Sequence, residues 1–187
     1  MTTTTRLIEA ERLISLLRER SLTRGDFVLA SGRRSSFYID ARRTTMSGEG
    51  QALIGLLGLA ALDARGWTPA SIGGLTLGAD PVAYAIAHAA QRAGRPLDAF
   101  TVRKEAKTHG TGRRIEGCFT PGDRVVVVED VITTGKSALD AVTAVQAEGA
   151  QVQGILAVVD REEGGRDAIE AAGLPVTVLV RASELGV

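Results

Sequence analysis

The sequence predicts an α/β fold with a mostly parallel central sheet flanked by helices on both faces. Three observations carry that expectation. Short apolar runs at Ser71–Leu77, Ala99–Arg103, Asp123–Glu129, Val152–Asp160 and Val176–Arg181 read as strands. Helical patterns near Asp80–Ala93, Lys136–Glu148 and Gly165–Ala172 fall between them. Within the third run, Val125–Val128 is four consecutive β-branched residues, a pattern suited to a strand buried on both faces.

The N-terminal part adds elements in front of that alternation. Leu7, Ile8, Leu13, Ile14, Leu16 and Leu17 recur at helical spacing among Arg and Glu, predicting a first amphipathic helix. Phe27-Val28-Leu29 and Phe37-Tyr38-Ile39 flank Ser31–Ser35, which predicts a hairpin or paired extended segments. Ser47 is placed to cap a second helix running to about Ala64, with Glu49 in its first turn and Gly66 ending it. Lys104–Thr120 breaks the pattern. This long polar stretch contains Gly110, Gly112 and Gly117, and Arg103–Arg114 carries five fixed positive charges against one Glu. Long loops without structure of their own are commonly functional, and a basic lid closing over a polyanion explains both the charge and the glycines.

Composition narrows the classes. The chain has 187 residues, enough for one domain with a real core, and 22 basic residues balance 22 acidic ones. A neutral chain has no global field to draw in nucleic acid or an anionic membrane, so anion binding has to be local. The single cysteine, Cys118, excludes an internal disulfide and is expected to be a small buried apolar residue. The polar start Met1–Arg6 lacks the apolar stretch of a signal peptide, and no run approaches a membrane span. A cytoplasmic protein is expected.

The chemistry concentrates in Val125–Ser137, VVVVEDVITTGKS. Glu129 and Asp130 come where the strand is expected to end, and Thr133-Thr134-Gly135-Lys136-Ser137 opens the next helix. Ligands of open α/β sheets bind beyond the carboxyl ends of strands, and helix N-termini favour anions. The stretch therefore offers acceptors for sugar hydroxyls beside a phosphate cradle. Gly135-Lys136-Ser137 matches the end of a nucleotide-binding P-loop, but the required first glycine would fall at Asp130. That excludes the P-loop. A second glycine-rich strand-to-helix turn, Gly73–Pro81, offers another anion site. Two anion cradles with hydroxyl acceptors between them suit a ribose carrying phosphate groups at both ends.

Val125–Ser137 resembles the phosphoribosyl-pyrophosphate (PRPP) signature of the type I phosphoribosyltransferases. Arg103-Lys104-Glu105-Ala106-Lys107-Thr108-His109-Gly110, with Glu116-Gly117, Phe27–Arg33 and Asp160-Arg161, is similar to the orotate branch of that family. The resemblance spans roughly residues 27–181. It implies a single phosphoribosyltransferase domain over 1–187, with a small N-terminal hood at about 1–45 and a flexible basic loop at about 104–120. It further implies Mg²⁺-dependent transfer of the phosphoribosyl group from PRPP to orotate, giving orotidine 5′-monophosphate (OMP) and pyrophosphate.

By the same resemblance, Glu129 and Asp130 would hold the ribose hydroxyls, Thr133, Thr134, Gly135, Lys136 and Ser137 would bind the 5′-phosphate, and Val131 and Ile132 between them would also contact PRPP. Thr76, Leu77 and Gly78 would face the pyrophosphate. Arg103, Lys104, Lys107 and His109 would act from the loop, with Lys104, His109, Glu129 and Asp130 as the catalytic set. Thr133, Arg161, Ser31, Gly32 and Tyr38 would take orotate. Mg²⁺ would bind mainly through PRPP, and the protein would be a homodimer whose loop 104–120 reaches the neighbouring site, with no nucleic acid or membrane partner. Some members carry lysine where this chain has Ala30 and Gly78, and Asp-Asp where it has Glu129-Asp130. The signature alone does not choose the base. A purine or uracil enzyme and a PRPP-sensing regulator remain alternatives at this stage.

Overall fold

The computed structural model describes residues 3–28, 34–105 and 114–187. Helix α1 (Thr3–Arg20) leads into an antiparallel pair, β1 (Leu22–Val28) and β2 (Arg34–Ile39). A short helix α2 (Arg42–Thr45) and the long α3 (Gly48–Ala64) follow. The alternating part is β3 (Ser71–Leu75), α4 (Ala79–Arg92), β4 (Asp98–Val102), β5 (Ile115–Gly117), β6 (Arg124–Ile132), α5 (Lys136–Ala147), β7 (Gln151–Asp160), α6 (Gly165–Ala171) and β8 (Val176–Arg181). A 3-10 turn at Ala182–Leu185 follows β8. The second helix starts as the sequence predicts, because the Ser47 hydroxyl accepts from the Gly50 N–H at 3.1 Å.

The main sheet has the order β5-β4-β3-β6-β7-β8, parallel except for the antiparallel edge strand β5. The β6 residues explain why both faces are covered. Val126 and Val128 pack with Leu13, Leu16, Ile54, Ile86, Leu156 and Val158 on the side of α1, α3 and α4. Val125 and Val127 pack with Val102, Ala141, Val145, Ile155 and Ile169 on the side of α5 and α6. Alternating side chains thus serve two cores, as the two-residue period of a strand requires.

Three features differ from the sequence reading. Ile115–Gly117, expected within the loop, pairs with Val102–Phe100 as an edge strand. Strand β6 does not stop at Glu129 but runs to Ile132, where Val131 and Ile132 pair with Val159 and Asp160 of β7. Cys118, expected to be buried, is exposed, because it follows the short edge strand rather than lying inside the sheet. Among the described residues no helix is long and apolar enough to cross a membrane.

Candidate active site

Chain order along the sheet creates the site. From β3 the chain moves to β4 on one side and later returns to place β6 on the other. The crevice beyond the ends of β3 and β6 is therefore a topological switch point. The β3–β6 pairing ends at Gly73 opposite Val127, so Glu129 and Asp130 lie past it on the β3 side. Each of the two strands feeds a helix, α4 and α5, and neither helix has a side-chain cap on its first N–H groups.

A cleft of about 1340 Å³ opens here, and Thr76, Leu77, Gly78, Arg103, Lys104, Glu129, Asp130 and Ser137 line it. Val131, Ile132, Thr133, Gly135 and Lys136 border a narrow recess that shares Glu129 and Ser137 with the cleft. Thr134 stands exposed in the same turn. Lys107, His109, Ser31 and Gly32 lie outside the described residues, as does Ala30. Arg161 and Tyr38 stand outside the cleft lining. Arg161 is buried just past β7, and Tyr38 is on β2 with its ring 5.8 Å from that of Phe27.

The acid pair is asymmetric. Glu129 is only 7% exposed, and its Oε2 has no hydrogen-bond partner. Burial pushes its carboxyl well above the ordinary glutamate range, and the neighbouring Asp130 adds to the effect. Burial also raises Asp130, opposed by hydrogen bonds and by the charge of Arg42. One of those bonds is the Val131 N–H donated to Asp130 Oδ1 at 2.9 Å. On its other side, Asp130 lies against the first turn. A Cβ at position 78 would fall 2.4 Å from Asp130 Oδ1, so Gly78 is what allows the carboxylate to rest there.

The second turn is held differently. Gly135 has φ +79°, and a Cβ on it would meet the Gly165 carbonyl oxygen at 2.7 Å. A Cβ on Gly165 would meet the Thr133 oxygen at 2.4 Å. Backbone is packed directly on backbone.

Arg161 is prepared for a ligand. Its Nη2 lies 2.8 Å from Glu163 Oε1 and donates a longer 3.4 Å bond to Ser35 Oγ. The guanidinium stacks 4.7 Å from the centre of the Phe37 ring. Its Nε is buried without a partner. Arg42 is a further cation in the cleft, with its Nε bonded to Asp40 Oδ1 at 2.8 Å.

Sequence reasoning missed Arg42, Phe37, Asp80 and Glu163. The Asp40–Arg42 spacing just past a strand was the only local signal for Arg42. Phe37 differs from Tyr38 by one strand position, and the face it takes is set by tertiary packing.

No protein-family model matches the chain. The orotate phosphoribosyltransferase of Mycobacterium avium (strain 104) is 52% identical over 178 residues, 95% of this chain and 97% of that protein. The chain belongs to the orotate phosphoribosyltransferase family. Family membership extends to the fold. The Mycobacterium tuberculosis H37Rv orotate phosphoribosyltransferase in complex with Fe(III) dicitrate matches with a TM-score of 0.85 and 48% identity, over 96% of this chain and 99% of that one. The same M. tuberculosis protein in complex with PRPP matches with a TM-score of 0.79 and 43% identity, over 96% of this chain and 92% of that one. The α/β architecture and the orotate branch expected from the sequence are both borne out.

Proposed function

We infer that the chain transfers the 5-phosphoribosyl group of PRPP to orotate, forming OMP and pyrophosphate in pyrimidine nucleotide synthesis. The observation that carries this reading is the acid pair Glu129–Asp130 lying at the switch point between two uncapped helix N-termini. In the reaction the bond from ribose C1′ to the diphosphate oxygen breaks, and a bond from C1′ to a ring nitrogen of orotate forms. Positive charge grows on the ribose and negative charge on the leaving group.

Glu129 and Asp130 take the ribose hydroxyls and stabilise the sugar as it becomes positive. The partnerless Glu129 Oε2 supports that role, because a buried acceptor without a donor gains most from a ligand hydroxyl. The Thr133–Ser137 turn holds the 5′-phosphate, and Thr76–Gly78 faces the diphosphate. Arg103 and Lys104, with Lys107 and His109 further along the loop, neutralise the departing pyrophosphate. Arg161 takes the orotate carboxylate, supported by its buried, unpartnered Nε and the fork geometry that matches a carboxylate.

The described lining carries five carboxylates, Asp80, Glu105, Glu116, Glu129 and Asp130, against the three cations Arg42, Arg103 and Lys104. Such a surface suits PRPP arriving as a magnesium complex. Mg²⁺, held mainly by PRPP oxygens, would supply charge neutralisation on the diphosphate.

The test is PRPP-dependent turnover with Mg²⁺ and orotate, uracil, adenine or hypoxanthine. Consumption of orotate alone is expected. Consumption of another base in place of orotate overturns the reading.

The enzyme acts as a homodimer in this reading, with the loop of one protomer reaching its partner's site. Exposed Met46, Leu56 and Tyr84 offer apolar surface for a second copy. Mixing Lys107→Ala subunits with Asp130→Asn subunits is expected to restore part of the activity.

A further inference from the structure

Asp80 raises a physical question. It places a carboxylate in the first turn of α4, inside a cleft built to receive a polyanion. Both of its oxygens are engaged. Oδ2 accepts from the Thr76 hydroxyl at 2.6 Å, and Oδ1 accepts from the Thr101 hydroxyl at 2.8 Å. The Thr101 hydroxyl also lies 3.2 Å from the Tyr84 hydroxyl, one helical turn further along α4. The start of α4 is the positive end of its dipole, which favours the carboxylate there.

Those bonds join three elements. Thr76 is the first residue of the turn after β3, and its N–H is already donated to the Val102 oxygen at 2.9 Å. Thr101 belongs to β4, which leads directly to Arg103 and Lys104. One carboxylate thus ties the Thr76–Gly78 turn to the strand that delivers the loop cations.

We propose that Asp80 is a positioning residue for pyrophosphate: by bridging Thr76 and Thr101 it fixes the turn after β3 relative to the end of β4, so that both grip the leaving group together. This rests on the reading that Thr76–Gly78 faces the diphosphate of PRPP. Asp80 itself does not contact the reacting atoms.

The test compares Asp80→Ala with two pairs of variants that disturb the bridge more gently. Thr101→Val and Thr76→Val keep volume but remove a donor, and Thr101→Ser and Thr76→Ser keep the donor. Asp80→Ala is expected to raise KM for PRPP about tenfold, the effect of one or two lost hydrogen bonds, with KM for orotate within about twofold of wild type. The valine variants should follow it and the serine variants should recover. Calorimetric titration with magnesium pyrophosphate should show the same loss of affinity without needing turnover.

Unchanged KM for PRPP and unchanged pyrophosphate affinity in Asp80→Ala and Thr101→Val overturn the proposal. So do equal rises in both KM values, or serine variants as weak as the valine ones. If wild type consumes no orotate, the functional reading fails. The pyrophosphate titration then still decides the role of Asp80.

Discussion

The two strand-to-helix turns that frame the cleft do similar jobs by different means. The turn after β3 is braced by polar side chains, with Asp80 gripping Thr76 and Thr101 and the Asp130 carboxylate lying against Gly78. The turn after β6 is braced by backbone against backbone, through Gly135 and Gly165. Hydrogen-bonded side chains can rearrange at modest energy, whereas backbone in direct contact yields little. The first turn is therefore held by contacts that can be released, next to a leaving group that must depart. The second is the rigid wall, next to a phosphate that stays on the product.

Asp130 stands between the walls, so removing its charge should have the largest effect. Asp130→Asn is expected to lower kcat by about 10²-fold or more, with a circular dichroism spectrum and melting temperature like wild type. Its burial already disfavours the charged form, so the neutral amide does not threaten the fold. A steady-state rate near wild type would remove Asp130 from the proposed chemistry.

Placing one methyl group in each wall tests the contrast between them. Gly165→Ala would drive a Cβ to 2.4 Å from the Thr133 oxygen and 2.7 Å from the Gly135 nitrogen. Its two nearest neighbours are backbone atoms, with the buried Ile132 side chain next, so it should lower stability by about 1–3 kcal/mol and weaken PRPP binding together. The three atoms nearest a Cβ at Gly78 all belong to the Asp130 carboxylate, which can swing away. It should leave the melting temperature nearly unchanged and raise KM for PRPP about tenfold, with kcat falling as Asp130 leaves its place. Equal thermal losses in the two variants would erase the distinction between the walls.

The sequence made one wall far more legible than the other. Val125–Val128 announced a strand buried on both faces, and the Thr133–Ser137 turn followed from local spacing and glycine chemistry. Those signals are local, so they survive without tertiary information. The continuation of β6 to Ile132 is paired only with β7, and the acid pair Glu129-Asp130 interrupts the apolar run before the β-branched Val131 and Ile132 resume it. Strand β5 is three residues long and exists through pairing with β4. The bracing of the first turn was hidden for the same reason. Asp80 lay inside a motif already singled out, but its bond to Thr101 spans 21 residues. Phe37 and Arg161 meet across more than a hundred residues. Local chemistry predicted where anions would bind, while the devices that hold those sites in place depended on long-range packing.

Glu129 gives the smallest expected effect and the sharpest sign. It belongs to the rigid side of the cleft, in the strand that feeds the second turn, and its folded value is raised above the 4.5 of a free glutamate. The folded protein therefore binds the proton more tightly than the unfolded chain does. This contribution to stability is complete below about pH 4.5 and is lost as pH rises through the raised folded value. Above that point the empty site holds a buried carboxylate with one oxygen unpartnered. Glu129→Gln keeps the shape without the charge. Its melting temperature relative to wild type should climb as pH is raised through the neutral to alkaline range. Ribose hydroxyls that donate to Glu129 favour its charged form, so PRPP should release a proton on binding wild type but not the variant. Melting curves recorded across pH with and without magnesium PRPP, and binding heats compared in buffers of different ionisation enthalpy, check both statements. Parallel melting curves for the two proteins would show that Glu129 keeps one charge state throughout, and the rigid wall would then lose its link to the ribose.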